Sequence, residues 1–247
     1  MPRRYLCPKC PTPLPIDGTL QHPNWKLAPW TEAFVDIEGD AKPRPHFLTR
    51  AKMLWDDEFF YIGAELEEPH LWATLTEHDS VIFHDNDFEV FIDPDGDALR
   101  YFEFEMNALN TTWDLYLAKP YRDGGDADNG WETYAKTAVH LKGTLNDPSD
   151  LDDGWTLEIS FPWACFAENA GMPCPPNIGD VWRVNFSRVQ WLLEDRDGKV
   201  VNDLEIVTGP GPYRKKLDNP EFNWVWSPQG VIDMHQPEQW GYVTFGD

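Results

Sequence analysis

Two short segments, Phe88-Glu89-Val90-Phe91-Ile92 and Phe102-Glu103-Phe104-Glu105-Met106-Asn107, constrain this chain more than any other feature. Both alternate with period two. Between them lies Asp93-Pro94-Asp95-Gly96-Asp97, whose Pro, Gly and Asp favour a turn. Successive side chains of a strand point to opposite faces. The pair therefore predicts a hairpin with Phe88, Val90, Ile92, Phe102, Phe104 and Met106 turned to a core. Glu89, Phe91, Glu103, Glu105 and Asn107 then share the opposite face.

The alternation recurs along the chain. Residues 49–55 and 59–66 flank a turn at Asp56-Asp57-Glu58, and further strands are expected at 112–118, 139–145, 155–161, 181–189 and 240–245. In the strand at 181–189, Val184 and Phe186 point inward, leaving Arg183, Asn185 and Ser187 outside. Only residues 162–166 suggest a short helix, because Pro suits a first helical turn. Short strands with frequent turn signals imply an all-β, antiparallel β-sandwich of the jelly-roll kind with little helix. A Pro-rich lead-in over residues 1–16 precedes one domain over 17–247.

Thirteen tryptophans supply core volume, and indole also makes a platform for sugar rings. The net charge of −23 repels phosphate backbones, and no Lys/Arg cluster offsets it, which argues against nucleic acid. Acidic excess suits divalent cations or neutral ligands. No run of about 18 apolar residues occurs, so no membrane span is expected. Arg3 and Arg4 are not followed by an apolar segment, so no complete secretory signal is read. The chain as written is expected in the cytoplasm, or outside it if a leader has been removed. Cys7-x-x-Cys10 lacks a second Cys pair of zinc spacing, since Cys165 and Cys174 stand apart. Pro11, Pro13 and Pro15 forbid the helix of a thioredoxin-like motif. Plain thiols or a terminal staple are expected.

Assembled into one sheet, the outward positions bring together Glu89, Glu105, Asn107, Glu158, Asn185 and Ser187. Several carboxylates on neighbouring strands are unfavourable unless something pairs with them. Arg183, Arg188, a cation or ligand hydroxyls could do so. With Phe83 and Trp191 at the rim, the face suits a saccharide: carboxylates and amides bond hydroxyls, and rings stack on pyranose C–H faces.

These residues resemble carbohydrate-binding module family 9 and its stand-alone bacterial relatives, within the broader DOMON-like group. The likeness is carried by Ile16-Asp17-Gly18 with Trp25 and Trp30, by Leu54-Trp55-Asp56-Asp57-Glu58 with Tyr61-Ile62-Gly63-Ala64-Glu65, and by Asp85-Asn86-Asp87 through Pro94. Phe102 to Asn107, Gly154-Trp155-Thr156-Leu157-Glu158-Ile159 and Arg183-Val184-Asn185-Phe186 continue it. The resemblance implies a β-sandwich that binds oligo- or polysaccharide and serves polysaccharide breakdown beside glycoside hydrolases. In the family two tryptophans clamp a terminal sugar while Glu, Arg and Asn bond its hydroxyls. Here Phe83 stands in the first Trp position, Glu89 and Asn185 match the Glu and Asn, and Glu105 falls where the family has Arg. Arg188 stands near the second clamp position, with Trp191 close by.

Family members also carry calcium, which the alternating Asp93, Asp95 and Asp97 could ligate. A second reading is a glycoside hydrolase using Glu89, Glu105 and Glu158 as paired carboxylates. A third is a haem module held by Met106, His84 or His235.

Overall fold

The computed structural model describes residues 1–194, 214–215 and 220–247. In chain order the strands are β1 (Arg4–Cys7), β2 (Val35–Asp36), β3 (Thr49–Trp55), β4 (Phe59–Leu66), β5 (Asp87–Asp93), β6 (Tyr101–Asn107), β7 (Thr112–Leu117) and β8 (Ala127–Asp128). They continue as β9 (Lys136–Lys142), β10 (Gly154–Pro162), β11 (Val181–Gln190), β12 (Leu193–Glu194), β13 (Arg214–Lys215), β14 (Phe222–Val225) and β15 (Gly241–Phe245). The helices among the described residues are 3₁₀ turns of three or four residues, and none is long and apolar enough to cross a membrane.

A large sheet runs β1-β15-β11-β5-β6-β7-β8, with β14 extending the far half of β11 and pairing in turn with β2. A smaller sheet runs β3-β4-β10-β9, and β12 and β13 form a separate ladder. Every pairing is antiparallel except β1 with β15. Phe88, Val90, Ile92, Phe102, Phe104 and Met106 do face the core, where they meet Met53, Ile62, Leu157, Ile159 and Phe161 of the small sheet. Phe104 and Phe161 touch edge to face with centroids 5.1 Å apart. Each such side chain, fully buried, contributes about 1.5–3 kcal/mol.

Both outer faces carry a further layer. On the small sheet, Leu14, Trp25 and Ala28 pack over Leu54 and Tyr61. Gly63 makes this possible, because a Cβ there would stand 2.4 Å from Leu20 Cδ2 and 3.1 Å from the Trp25 ring. Gly18 turns the chain with φ of +80°, and a side chain on it would strike the β9 backbone at 2.7 Å. On the large sheet, Ile37, Met234 and Trp240 cover Phe91, Tyr101, Leu115 and Leu117, beside Val225 of β14.

Three sequence expectations shift. The lead-in is not outside the fold: β1 pairs with β15 from Arg4↔Tyr242 to Cys7↔Phe245. The strand expected at 139–145 is β9, three residues earlier, fixed by its pairing Leu157↔Val139 with β10. The short helix is one 3₁₀ turn, Trp163–Cys165, whose Trp163 indole donates to the Asp56 carbonyl at 2.8 Å.

Candidate functional site

Cross-strand register builds the site. One row across β11, β5, β6 and β7 reads Ser187, Glu89, Glu105, Trp113. The next row reads Asn185, Phe91, Glu103, Leu115. The outward side chains of these rows floor a cleft of about 430 Å³, within the range of small-molecule sites. Glu89, Glu103 and Glu105 lie on the floor, Phe83 and Trp113 form one wall, and Tyr121 and His235 form another. The Phe83 and Trp113 rings lie 6.3 Å apart, tilted by 31°. Tyr121 meets the His235 ring edge-on at 4.5 Å, and Tyr101 Oη lies 2.9 Å from His235 Nδ1.

The floor is acidic without compensation. Glu89 and Glu105 stand directly opposite, the arrangement that raises the energy of like charges. Oxygens of Asp87, Glu89 and Glu105 lie within 4.8 Å of one another. Burial first, and then the Glu89 charge, hold the Glu103 and Glu105 carboxyls well above the ordinary range. Burial alone is the main cause that pushes Glu89 up to about 7. Burial also lowers His235 to about 4, so at neutral pH it brings no positive charge. Among the described residues no Lys or Arg lines the cleft. Glu105 Oε2 accepts from Phe83 N at 2.9 Å, which ties the aromatic wall to the floor.

The expected site residues divide. Phe83, Glu89 and Glu105 come together in the cleft. Asn107 and Asn185 share the same outer face but are fully buried and engaged in holding loops. Asn107 bonds the Leu75 carbonyl, Asp85, Leu109 N and Thr111 N. Asn185 pairs with the backbone of Ser227, donating to its carbonyl at 2.8 Å and accepting from its N–H at 2.8 Å. Trp191 sits behind the wall, where its indole donates to the Phe83 carbonyl at 2.9 Å.

Two placements correct the expectation of one shared face. Glu158 lies on β10 of the other sheet, where it accepts from Asp17 N, Gly18 N, Leu20 N and the Trp25 indole at 2.8–3.1 Å. It is an anchor for the N-terminal layer and cannot join Glu89 and Glu105 as a hydrolase pair. Arg188 points into the fold, with the same parity as Phe186, and is buried. Its guanidinium bonds Glu68 at 3.0 Å, Thr49 Oγ1 at 2.9 Å and Gln190 Oε1 at 2.6 Å. Met106 is likewise in the core, on the opposite side of the sheet from His235, and His84 is exposed, so these three do not assemble a haem site.

The aspartate turn is already satisfied. Asp93 accepts from Gly96 N and Ala98 N at 3.0 Å each, while Arg100 Nη2 lies 2.7 Å from Asp95 and 2.6 Å from Asp97. A guanidinium thus stands between two of the three carboxylates, and this donor set fits a resident calcium poorly. Cys7, Cys10, Cys165 and Cys174 are free thiols.

Sequence reasoning put Glu103 on the outward face but left it out of the site, and it missed Trp113, Tyr121 and His235 as cleft residues. Trp113 had a signal, because it is in phase with the outward side of its strand and faces Glu105. Tyr121 and His235 come from irregular segments and had none.

Similar architecture occurs in a carbohydrate binding module family 9 from Caldicellulosiruptor kristjanssonii, solved with cellotriose (TM-score 0.59, 15% identity, covering 99% of this chain and 94% of that one). The glucose complex of a family 9 module from the same organism gives a TM-score of 0.60 at 16% identity, covering 99% and 97%. A Bacteroides uniformis structure aligns with a TM-score of 0.67 at 15% identity over 99% of this chain and all of that one. No curated protein matches the sequence. The family model described as "Carbohydrate family 9 binding domain-like" matches residues 16–175, well over half of the chain, and its span includes β3 to β10 and most of the cleft. By that match, on a sandwich with an open aromatic and acidic cleft, the chain belongs to the carbohydrate family 9 binding domain-like family.

Proposed function

We propose that this carbohydrate-binding chain holds its saccharide in the cleft on the large sheet, between the Phe83–Trp113 wall and the Glu89–Glu105 floor. One observation carries the assignment: an aromatic pair and outward carboxylates meet around a single concave surface of about 430 Å³. Rings stack on the apolar faces of a pyranose, and carboxylates accept from its hydroxyls. Glucose and cellotriose, held by the family 9 modules above, set the first ligands to try. Family membership supports a further part of the proposal, that the chain serves polysaccharide breakdown beside glycoside hydrolases. Calcium at Asp93, Asp95 and Asp97 would require Arg100 to leave its two carboxylates.

The test is affinity electrophoresis or calorimetry on a glycan series, with Glu89→Ala and Trp113→Ala beside the wild type. Each variant is expected to lower affinity by at least about tenfold while keeping its melting temperature, since truncating a stacked aromatic or a bonding carboxylate costs about 1–3 kcal/mol. Wild-type affinity in both folded variants would move the site elsewhere.

A further inference from the structure

We infer that the cleft selects a positively charged saccharide, one bearing a primary ammonium, such as an oligomer of glucosamine, over its neutral counterpart. This rests on the saccharide reading above and names the ligand class for the same site.

The starting point is a buried acid with an unpartnered oxygen. Glu103 is 5% exposed, lines the cleft, and its Oε2 has no hydrogen-bond partner. The nearest cationic candidate, His235 Nε2, lies 3.9 Å away, beyond hydrogen-bonding distance. Asp87, fully buried beside Glu89 on the same face of β5, also has an unpartnered oxygen, Oδ2, although its Oδ1 accepts from Val189 N at 3.1 Å. Buried polar atoms without partners are rare, because each costs about 1–3 kcal/mol and more when charged. Glu221 and Asp233 add acids to the cleft lining. A neutral sugar would offer hydroxyl donors but would not favour ionisation of these crowded carboxyls. An ammonium offers three donors and a positive charge together.

The walls favour the same ligand. Phe83, Trp113 and Tyr121 present ring surface, which attracts cations as well as sugar C–H groups. A hard divalent ion asks for six or more oxygen ligands. Asp87, Glu89 and Glu105 bring three carboxylate oxygens within 4.8 Å of one another, so calcium is the competing ligand that the test has to separate from the ammonium. Among the described residues the lining holds five acids, Glu89, Glu103, Glu105, Glu221 and Asp233, and no Lys or Arg.

The experiment is isothermal titration of the full chain with the β-1,4-linked trimer of glucosamine, its N-acetylated form, and cellotriose, at pH 7 and low salt. Calcium chloride alone is titrated in parallel. Expected is an affinity for the amine trimer at least tenfold above that for cellotriose, falling as salt is raised. The N-acetylated trimer should lose the preference, and Glu103→Gln should narrow it. Cellotriose binding as well as or better than the amine trimer overturns the inference and leaves the saccharide site standing. No binding of any trimer overturns both. Stoichiometric calcium binding that Glu103→Gln abolishes, with no preference for the amine, overturns it in favour of a metal.

Discussion

Glu158→Gln is expected to destabilise this protein severely without touching the cleft. The carboxylate of Glu158 accepts four N–H groups: Asp17 N and Gly18 N on Oε2, Leu20 N and the Trp25 indole on Oε1. A glutamine matches its shape, but whichever way the amide turns, an NH₂ faces two donors. Two charge-assisted bonds are lost, each contributing about 1.5–3 kcal/mol, so the cost is about 3–6 kcal/mol. That is a large part of the stability of an ordinary domain. Urea unfolding followed by tryptophan fluorescence would read it as a lower midpoint, and a thermal melt as a drop on the order of 10 °C. Glycan affinity of the folded fraction should match the wild type, because Glu158 and the cleft lie on different sheets. A loss below about 1 kcal/mol would refute the anchoring role, and a selective loss of affinity would return Glu158 to the binding site.

Stability should fall as pH rises from about 4.5 to 7.5, where two carboxyls outweigh one imidazole. Glu89 keeps its proton to about 7, against 4.5 when unfolded, and Asp93 to about 7 against 3.8, both chiefly through burial. Unfolding therefore releases protons across this window, and stability declines with pH. His235, lowered to about 4, acts in the opposite sense but only below its ordinary 6.5. A pH series of melting temperatures at constant ionic strength checks the sign, with Glu103→Gln expected to flatten the slope; a flat or rising wild-type curve contradicts it. Arg188→Met should cost about 3–5 kcal/mol by stranding buried Glu68, and adding Glu68→Gln should restore much of that. Additive losses in chemical denaturation would show that the two do not act as a pair. Millimolar calcium should leave the melting temperature within about 1 °C, because Arg100 already answers Asp95 and Asp97. A saturable rise, reversed by EDTA, would mean that the ion displaces the guanidinium.

Period-two alternation carried the strand pairs well. The 49–55 and 59–66 hairpin falls on β3 and β4, and the inward and outward sets of β5 and β6 are as their phase requires. Phase says which side of a strand a residue occupies, but not which sheet the strand joins. That is why Glu158 could be grouped with Glu89 although the two belong to different layers. Arg188 was legible and overridden: two positions after Phe186, it had to point inward, and its burial depends on Glu68 from a distant loop. The covering segment with Met234, His235 and Trp240 has no periodicity to read. Its position follows from tertiary bonds such as Asn185 to Ser227 and the Trp240 indole to the Met234 carbonyl. Half of the cleft wall was therefore invisible before the fold was known.

The parallel strand pair, β1 beside β15, gives the sandwich a mechanical character. The chain enters at the Arg4 end of this ribbon and leaves at its Phe245 end, with Gly246 N bonded to the Cys7 carbonyl at 2.8 Å. Tension between these ends pulls the strands lengthwise past each other, so their ladder bonds share the load and must break together rather than peel one by one. Stretched between these two ends, the sandwich would thus yield late, its clamp set at the outermost edge of the large sheet.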